Sequence, residues 1–359
     1  MLKTASLYII CCYSLLLASA CSGSDEASKY VPDVSKINTK AEILRFDEDL
    51  FNTNVANIDQ LKQQYPAFAS FYLDTILPNW KNTSISEALK MYQTDEYSKR
   101  LHDSVQLLFP DNQELEKEFT TIAKQYSYYF PALKNPFERV YTYTSAYRFG
   151  AFIHSSYGET YVAVGLDYAL GENHEAYMHV DYLRYQYVRQ KLTKAHLPVL
   201  AVEAAVGNIM EERVKKGGNY FIDFVIYNGK KYFLIDLLMP KTEDYLKLGY
   251  TKDQMAYCVP KEVSLYENLS KSVGFYSDDE LNFRAYINPG PFNPEQNRHA
   301  NAGSWLGMRI VQSYYRKVRH AIKREMRGRS NREIDRAALD KTLAEMDAQR
   351  FLKKYTPKR

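Results

Sequence analysis

Few residues in this chain combine the type and spacing that chemistry needs, and the clearest is Cys21. Ala18, Ser19 and Ala20 precede it, behind the apolar run 7–17 and the cationic Lys3. An apolar run too short to span a bilayer, closed by small residues before a cysteine, makes a lipoprotein signal peptide. Residues 1–20 are read as that leader. The Cys21 thiol is acylated, the chain is cut before it, and several acyl chains form a firm anchor, each buried CH₂ adding roughly 0.8 kcal/mol. Residues 21–40 read as a flexible tether, with Ser22, Gly23, Ser24, Asp25, Glu26 and Pro32 and little apolar content. Other reactive groups are less well placed. His154 beside Ser155 and Ser156 lacks a Gly-x-Ser-x-Gly elbow. His174 and His179 stand about 140° apart on a helix and do not converge as ligands. Phosphate-loop, dinucleotide and EF-hand patterns are missing, and the sequence implies no cofactor and no metal ligand set.

Composition narrows the class. Of four cysteines, Cys11, Cys12 and Cys21 belong to the leader or its end, which leaves Cys258 as a buried small residue without a disulfide partner. The net charge of +4 is uneven, because residues 316–359 hold 15 Lys and Arg against 6 Asp and Glu. An exported lipoprotein does not meet nucleic acid. Anionic headgroups or an acidic partner are the targets such a tail would serve, against the plainer reading of a solvated helix face. The 32 tyrosines would suit sugar binding, but Tyr128, Tyr129, Tyr141, Tyr143, Tyr147 and Tyr157 fall in apolar runs that core packing explains.

The elements that must position these groups are mostly helical. Residues 43–51 read as a short strand followed by an acidic turn. Helical spacing runs over 59–77 with a break at Pro66, then over 85–97, 97–109 and 114–129. Residues 140–147 and 161–166 are β-branched and aromatic, with Gly150 and Gly158 as punctuation, and form the sheet. Helices are expected at 175–192 and 198–216, the latter ending at Gly217-Gly218. The 220–238 stretch is ambiguous, because Asn228-Gly229 signals a hairpin while the apolar spacing signals a helix. Helices at 304–327 and 335–354 complete an α+β chain, read as one domain over 41–359.

The order of short motifs carries a family resemblance. They are Arg45-Phe46-Asp47-Glu48-Asp49-Leu50-Phe51, Tyr129-Phe130-Pro131, Val164-Gly165-Leu166-Asp167-Tyr168, Ile226-Tyr227-Asn228-Gly229, Leu248-Gly249-Tyr250-Thr251, Pro289-Gly290-Pro291-Phe292, Gly303-Ser304-Trp305-Leu306-Gly307-Met308-Arg309 and Phe351-Leu352-Lys353-Lys354-Tyr355. Together they resemble the GldB-type gliding-motility lipoproteins of Bacteroidetes, from about Arg45 to Lys358. The acids after Cys21 also resemble the surface-export signal of that phylum. The resemblance implies an outer-membrane lipoprotein, on its periplasmic or cell-surface face, whose partners are envelope proteins of the motility and type 9 secretion machinery.

The family is distantly similar to zinc metalloproteases, in which a helix carries His-Glu-x-x-His. Here that helix reads Val202-Glu203-Ala204-Ala205-Val206. The glutamate is retained, but valine cannot hold a metal, so the resemblance implies a degenerate zincin-like scaffold. The plainer reading of Glu203 is a polar position on an amphipathic helix. Asp167 is expected to end the sheet segment and cap the residues after it. Trp305 between Gly303 and Gly307 is expected to mark close helix packing. Arg45 and Asp47 are expected to pair, and Arg309 to need a buried acid, Asp167 or Glu203. The function expected is a non-enzymatic accessory acting through protein binding. The alternatives are a zinc-dependent hydrolase and a glycan-handling surface lipoprotein.

Overall fold

In the computed structural model, which describes residues 30–77, 83–293 and 298–358, four strands form a mixed sheet. They are β1 (Glu42–Leu44), β2 (Arg139–Tyr143), β3 (Ala151–Ser156) and β4 (Glu159–Gly165), in the order β1-β2-β4-β3. β1, β2 and β4 are parallel and β3 is antiparallel to β4. The β3–β4 hairpin turns on Tyr157 and Gly158, both at positive φ, as a tight two-residue loop requires. The leader, Cys21, the tether up to residue 29 and Trp80 lie outside the described residues. Asp33–Arg359 form one unit, and Val34 and Ile37 already pack against its core.

Side chains alternate across a strand, and here both faces are buried. Val140, Val162 and Val164 enter one core, while Tyr141, Tyr143, Tyr161 and Ala163 enter another. The second core is small and aromatic, and it is closed by α1 (Phe46–Asn52), α2 (Ile85–Thr94) and the segments between them. Phe68 stacks on Tyr141 at 4.8 Å and meets Phe46 edge-on at 4.9 Å. The first core is larger. It gathers α3 (Glu96–Leu108), α4 (Gln113–Tyr129), α5 (Leu197–Arg213), α6 (Phe221–Leu238), α7 (Ala302–Glu325), α8 (Asn331–Ala344) and α9 (Ala348–Leu352). The result is the α+β class that the sequence patterns predict, helical on both sides of a small sheet.

Several boundaries differ from the sequence reading, each for a local reason. The strand over 43–51 stops at Leu44 and α1 takes over, with Asp47, Glu48 and Asp49 in its first turn, where carboxylates suit the helix dipole. Residues 175–192 do not form one continuous helix, only the 3₁₀ turn Glu175–His179 and a single α-helical turn, Gln186–Arg189. Gly171 N–H donates to the Leu192 carbonyl at 2.8 Å and Leu170 bridges Thr193, so the segment is clasped at its base as a loop. The Arg189 guanidinium donates to the carbonyls of Glu172 and Arg184 inside it. Residues 335–354 are two helices, α8 and α9, with α8 starting earlier on a Ser330–Glu333 capping box. Pro66 does mark a break, after the helix Ile58–Gln64.

The ambiguous stretch is the helix α6, and Asn228-Gly229 is no hairpin turn. Gly229 of α6 and Gly307 of α7 face each other so closely that a Cβ on either would overlap the other helix's backbone. Gly303 makes a second close approach, to the helix Glu280–Ile287, where a Cβ would stand 2.8 Å from the Tyr286 carbonyl oxygen. Trp305 is buried in the same stretch. Glycine's cost in a helix, roughly 1 kcal/mol, is offset by the close contact between the two helices. Gly307→Ala should therefore destabilise the fold by about 3 kcal/mol, the upper range for overpacking. Urea unfolding checks this, and a loss within error of zero would mean the helices can part without cost.

Candidate functional site

α5 starts at Leu197-Pro198, as proline at a helix start allows, and packs on β3 and β4. Val202 and Val206 are fully buried in the main core. Glu203, about 100° around the helix from Val202, reaches α6 and pairs with Lys231 at 3.1 Å, both side chains partly exposed. Nearby, His196 is buried. Its Nδ1 shares a 2.8 Å hydrogen bond with Thr193 Oγ1, and its Nε2 has no partner. Burial and the Lys191 charge lower its pKa to about 4, so the ring is neutral. Among the described residues, no three His, Cys, Asp or Glu side chains gather as a metal site.

Asp167 occupies a different environment from the one its motif predicts. It does not cap the residues after it. Its carboxylate is fully buried and turns back to the loop before β3, where Oδ2 accepts the N–H groups of Ser145 at 2.9 Å and Tyr147 at 2.7 Å. Oδ1 has no partner. Between those two donors Ala146 has φ 52°, and Tyr147 has φ 63°. Neither is glycine, and left-handed backbone costs such residues about 1–2 kcal/mol each. A carboxylate accepting two N–H groups at once is what compensates that strain. The loop is held from other sides as well. Tyr72 donates to the Thr144 carbonyl at 2.8 Å, Tyr143 to the Phe149 carbonyl at 2.9 Å, and Tyr168 to the Tyr147 carbonyl at 2.6 Å. Burial pushes the Asp167 carboxyl up to about 6, although the loop N–H groups favour its charge. Burial, aided by the Asp167 charge, raises the phenols of Tyr97, Tyr147, Tyr168 and Tyr177 as well.

The clamped loop forms one wall of a cleft of about 550 Å³, within the size range of ligand pockets. Tyr147 lines it from the loop. Tyr97, Arg100, Leu101 and Ser104 line it from one face of α3, at helical spacing. His174, Glu175, Ala176 and His179 line it from the 3₁₀ turn Glu175–His179. His174 and His179 thus share a cleft although they do not converge on a common point. Burial lowers the His174 pKa against the charge of Glu175. Exposed Met178 adjoins the lining residue His179 in the chain, and exposed Tyr182 reaches the loop through a 3.1 Å hydroxyl contact with Tyr168. In the sequence alone, Tyr147 reads as core packing and no signal marks Tyr97 as a cleft residue. The available signal is Asp167 itself, a carboxylate inside an apolar strand end.

The remaining predicted residues serve the fold. Arg309 pairs neither with Asp167 nor with Glu203, because the first is committed to its loop and the second to Lys231. Its guanidinium donates to Glu262 at 3.0 and 3.2 Å. Glu262, nearly fully buried, also accepts the Tyr355 hydroxyl and the Lys358 N–H, so this acid fastens the C-terminal segment. Arg45 and Asp47 pair at 3.0 Å, as expected. Cys258 is buried and its thiol is pushed up to about 12 by desolvation, which leaves it inert. His154 stacks on Phe71 at 4.5 Å in β3, and Ser155 bonds Thr160 across the hairpin.

Comparison with known families gives the class. A family model described as gliding motility protein GldB matches residues 27–357. The chain belongs to this lipoprotein family, whose description ties it to gliding motility. No curated protein and no solved structure matches it. No helix among the described residues is long and apolar enough to cross a membrane.

The Asp167 clamp predicts a pH signature. The folded pKa of about 6 lies above the ordinary 3.8, so the folded state binds this proton more tightly than the unfolded chain. The carboxyl therefore favours folding most below about pH 4, and its contribution declines as pH rises through 6, by about 3 kcal/mol at most. Asp167→Asn keeps an acceptor for both N–H groups without a charge. The stability of the wild type relative to Asp167→Asn should fall between pH 4 and 7, and urea midpoints that run parallel would contradict the assignment.

Proposed function

We propose that the protein is an outer-membrane lipoprotein, anchored through Cys21, that serves the gliding and type 9 secretion machinery by binding envelope proteins rather than by catalysis. The observation that carries this reading is the cleft beside α3. Its Tyr147 wall is hydrogen-bonded in place, exposed Tyr97 lines it, exposed Met178 adjoins its lining residue His179, and exposed Tyr182 contacts Tyr168, which holds Tyr147. Apolar groups left in water around a preformed cleft are a common mark of a protein-binding surface. The zincin-like helix offers no rival centre. Val202 and Val206 are enclosed by the core, and Glu203 is neutralised by Lys231.

Complementation of a deletion strain tests the reading. A Glu203→Ala copy should restore gliding fully, since a rim-exposed ion pair contributes about 1 kcal/mol or less. A Met178→Glu/Tyr182→Glu copy, expressed at wild-type level, should not restore it. A Cys21→Ala copy should lose acylation and membrane retention. Failure of Glu203→Ala together with rescue by the rim variant would favour a hydrolase over a binding protein.

A further inference from the structure

The outer half of α7 differs from its inner half. Residues 302–308 are buried, whereas Arg316, Lys317, His320, Lys323 and Arg324 are exposed, as is Arg327 just past the helix end. At 100° per residue the five side chains on the helix fall within about 120° of arc. Tyr314, Tyr315, Val318 and Ile322 occupy the opposite side and face the core. The one acid in this stretch, Glu325, lies about 80° outside the cationic arc. Arg319, also off the arc, is spent on the buried Asp335 at 2.5 Å. Among the described residues, no acid comes within ion-pairing distance of Lys317, Lys323, Arg324 or Arg327, and Arg316 feels only the buried Glu262, which Arg309 already holds. A solvated helix surface in this protein normally mixes signs, as on α8, where Glu333 answers Arg329 and Asp340 answers Arg213.

We infer that this stripe is a docking surface for the anionic headgroups of a phospholipid bilayer. The inference rests on the Cys21 anchor. At no more than about 3.6 Å per residue, the twelve residues from Cys21 to Asp33 reach roughly 43 Å. A unit of this length has a radius of gyration of about 20 Å. The tether is therefore no longer than the unit is wide, and some part of its surface meets the headgroups continually. A face whose exposed cations have no exposed acid on their arc is held there by charge complementarity, and one anchor joined to a basic patch binds more firmly than either alone.

The test uses the acylated full-length protein, reconstituted on vesicles of phosphatidylcholine alone or of phosphatidylcholine with phosphatidylglycerol. Lysine acetylation is followed by mass spectrometry, with exposed Lys117 on α4 as the reference. Lys317 and Lys323 should react several-fold more slowly on the anionic vesicles, Lys117 should not change, and high salt should abolish the difference. The variant Arg316→Gln/Arg324→Gln/Arg327→Gln keeps both reporter lysines and should lose most of the protection. Equal rates on the two vesicles, with protein bound to both, overturn the docking surface and leave the anchor intact. Protein that floats only with anionic vesicles supports the surface and counts against the anchor. Protein that floats with neither overturns both.

Discussion

The small sheet has no face to spare, and that constraint organises the rest of the chain. Because alternate residues of β2 and β4 point into two separate cores, the sheet must be covered twice. The chain between β1 and β2 supplies α1 and α2 for one side and α4 for the other. Everything after β4 adds to the larger core. The parallel β1–β2 pair requires such a long crossover, so coverage and connectivity are met there by the same segments, while β2 reaches β4 through the antiparallel β3. The aromatic character of the smaller core has the same origin. Phe46, Phe68, Tyr72, Tyr141 and Tyr161 fill a thin layer with few residues, and their edge-on contacts give it directional packing.

Buried carboxylates then join segments that the sheet does not. Asp47 links the start of α1 to β2 through Thr142, Glu262 holds α7 and the chain end, and Asp335 ties α8 to α7 and to Tyr128 of α4. Lys247, with no exposed side chain, holds Asp236 of α6 at 2.6 Å. Each charge lies among partners that satisfy it, the condition under which burial of ions is tolerated. Asp167 is the exception. It has N–H donors on one oxygen and none on the other, and its pKa rises where a guanidinium partner would have held it low. Its incomplete satisfaction sits beside the strained loop, so the two departures from ordinary packing are one feature.

Legibility in the sequence depends on whether a local signal competes with a distant one. The start of helix α5, the break at Pro66 and the Arg45–Asp47 pair are set by neighbours in the chain and stand where the pattern puts them, whereas α5 ends at Arg213, short of the predicted stop at Gly217-Gly218. Asn228-Gly229 misleads because a glycine needed for contact with Gly307, some eighty residues on, looks the same as one needed for a turn. Strand β3 is invisible because Ala151, His154, Ser155 and Ser156 lack the β-branched signature, and its pairing with β4 comes from the hairpin. The 171–192 loop resembles a helix in sequence because its clasp, Leu170 to Thr193, lies at its two ends. The Arg309 partner cannot be chosen from sequence, since Glu262 is one acid among many until the fold brings it near.

On the proposed reading of the cleft as a binding surface, strain in the loop has a use. Ala146 and Tyr147 in left-handed backbone would relax if the fold allowed it, yet glycine, which adopts that conformation freely, does not stand there. The Tyr147 side chain fills the wall: it is buried, meets Tyr177 edge-on at 5.3 Å and lines the cleft at once. Glycine would relieve the backbone and remove the wall. The fold instead keeps the ring and restrains the backbone through Asp167 and the surrounding hydroxyls, which leaves the surface little freedom to lose on association. Binding to such a surface spends less of the interaction energy on ordering. Asp167 itself is sealed from solvent, so it can position that wall but not reach a bound molecule.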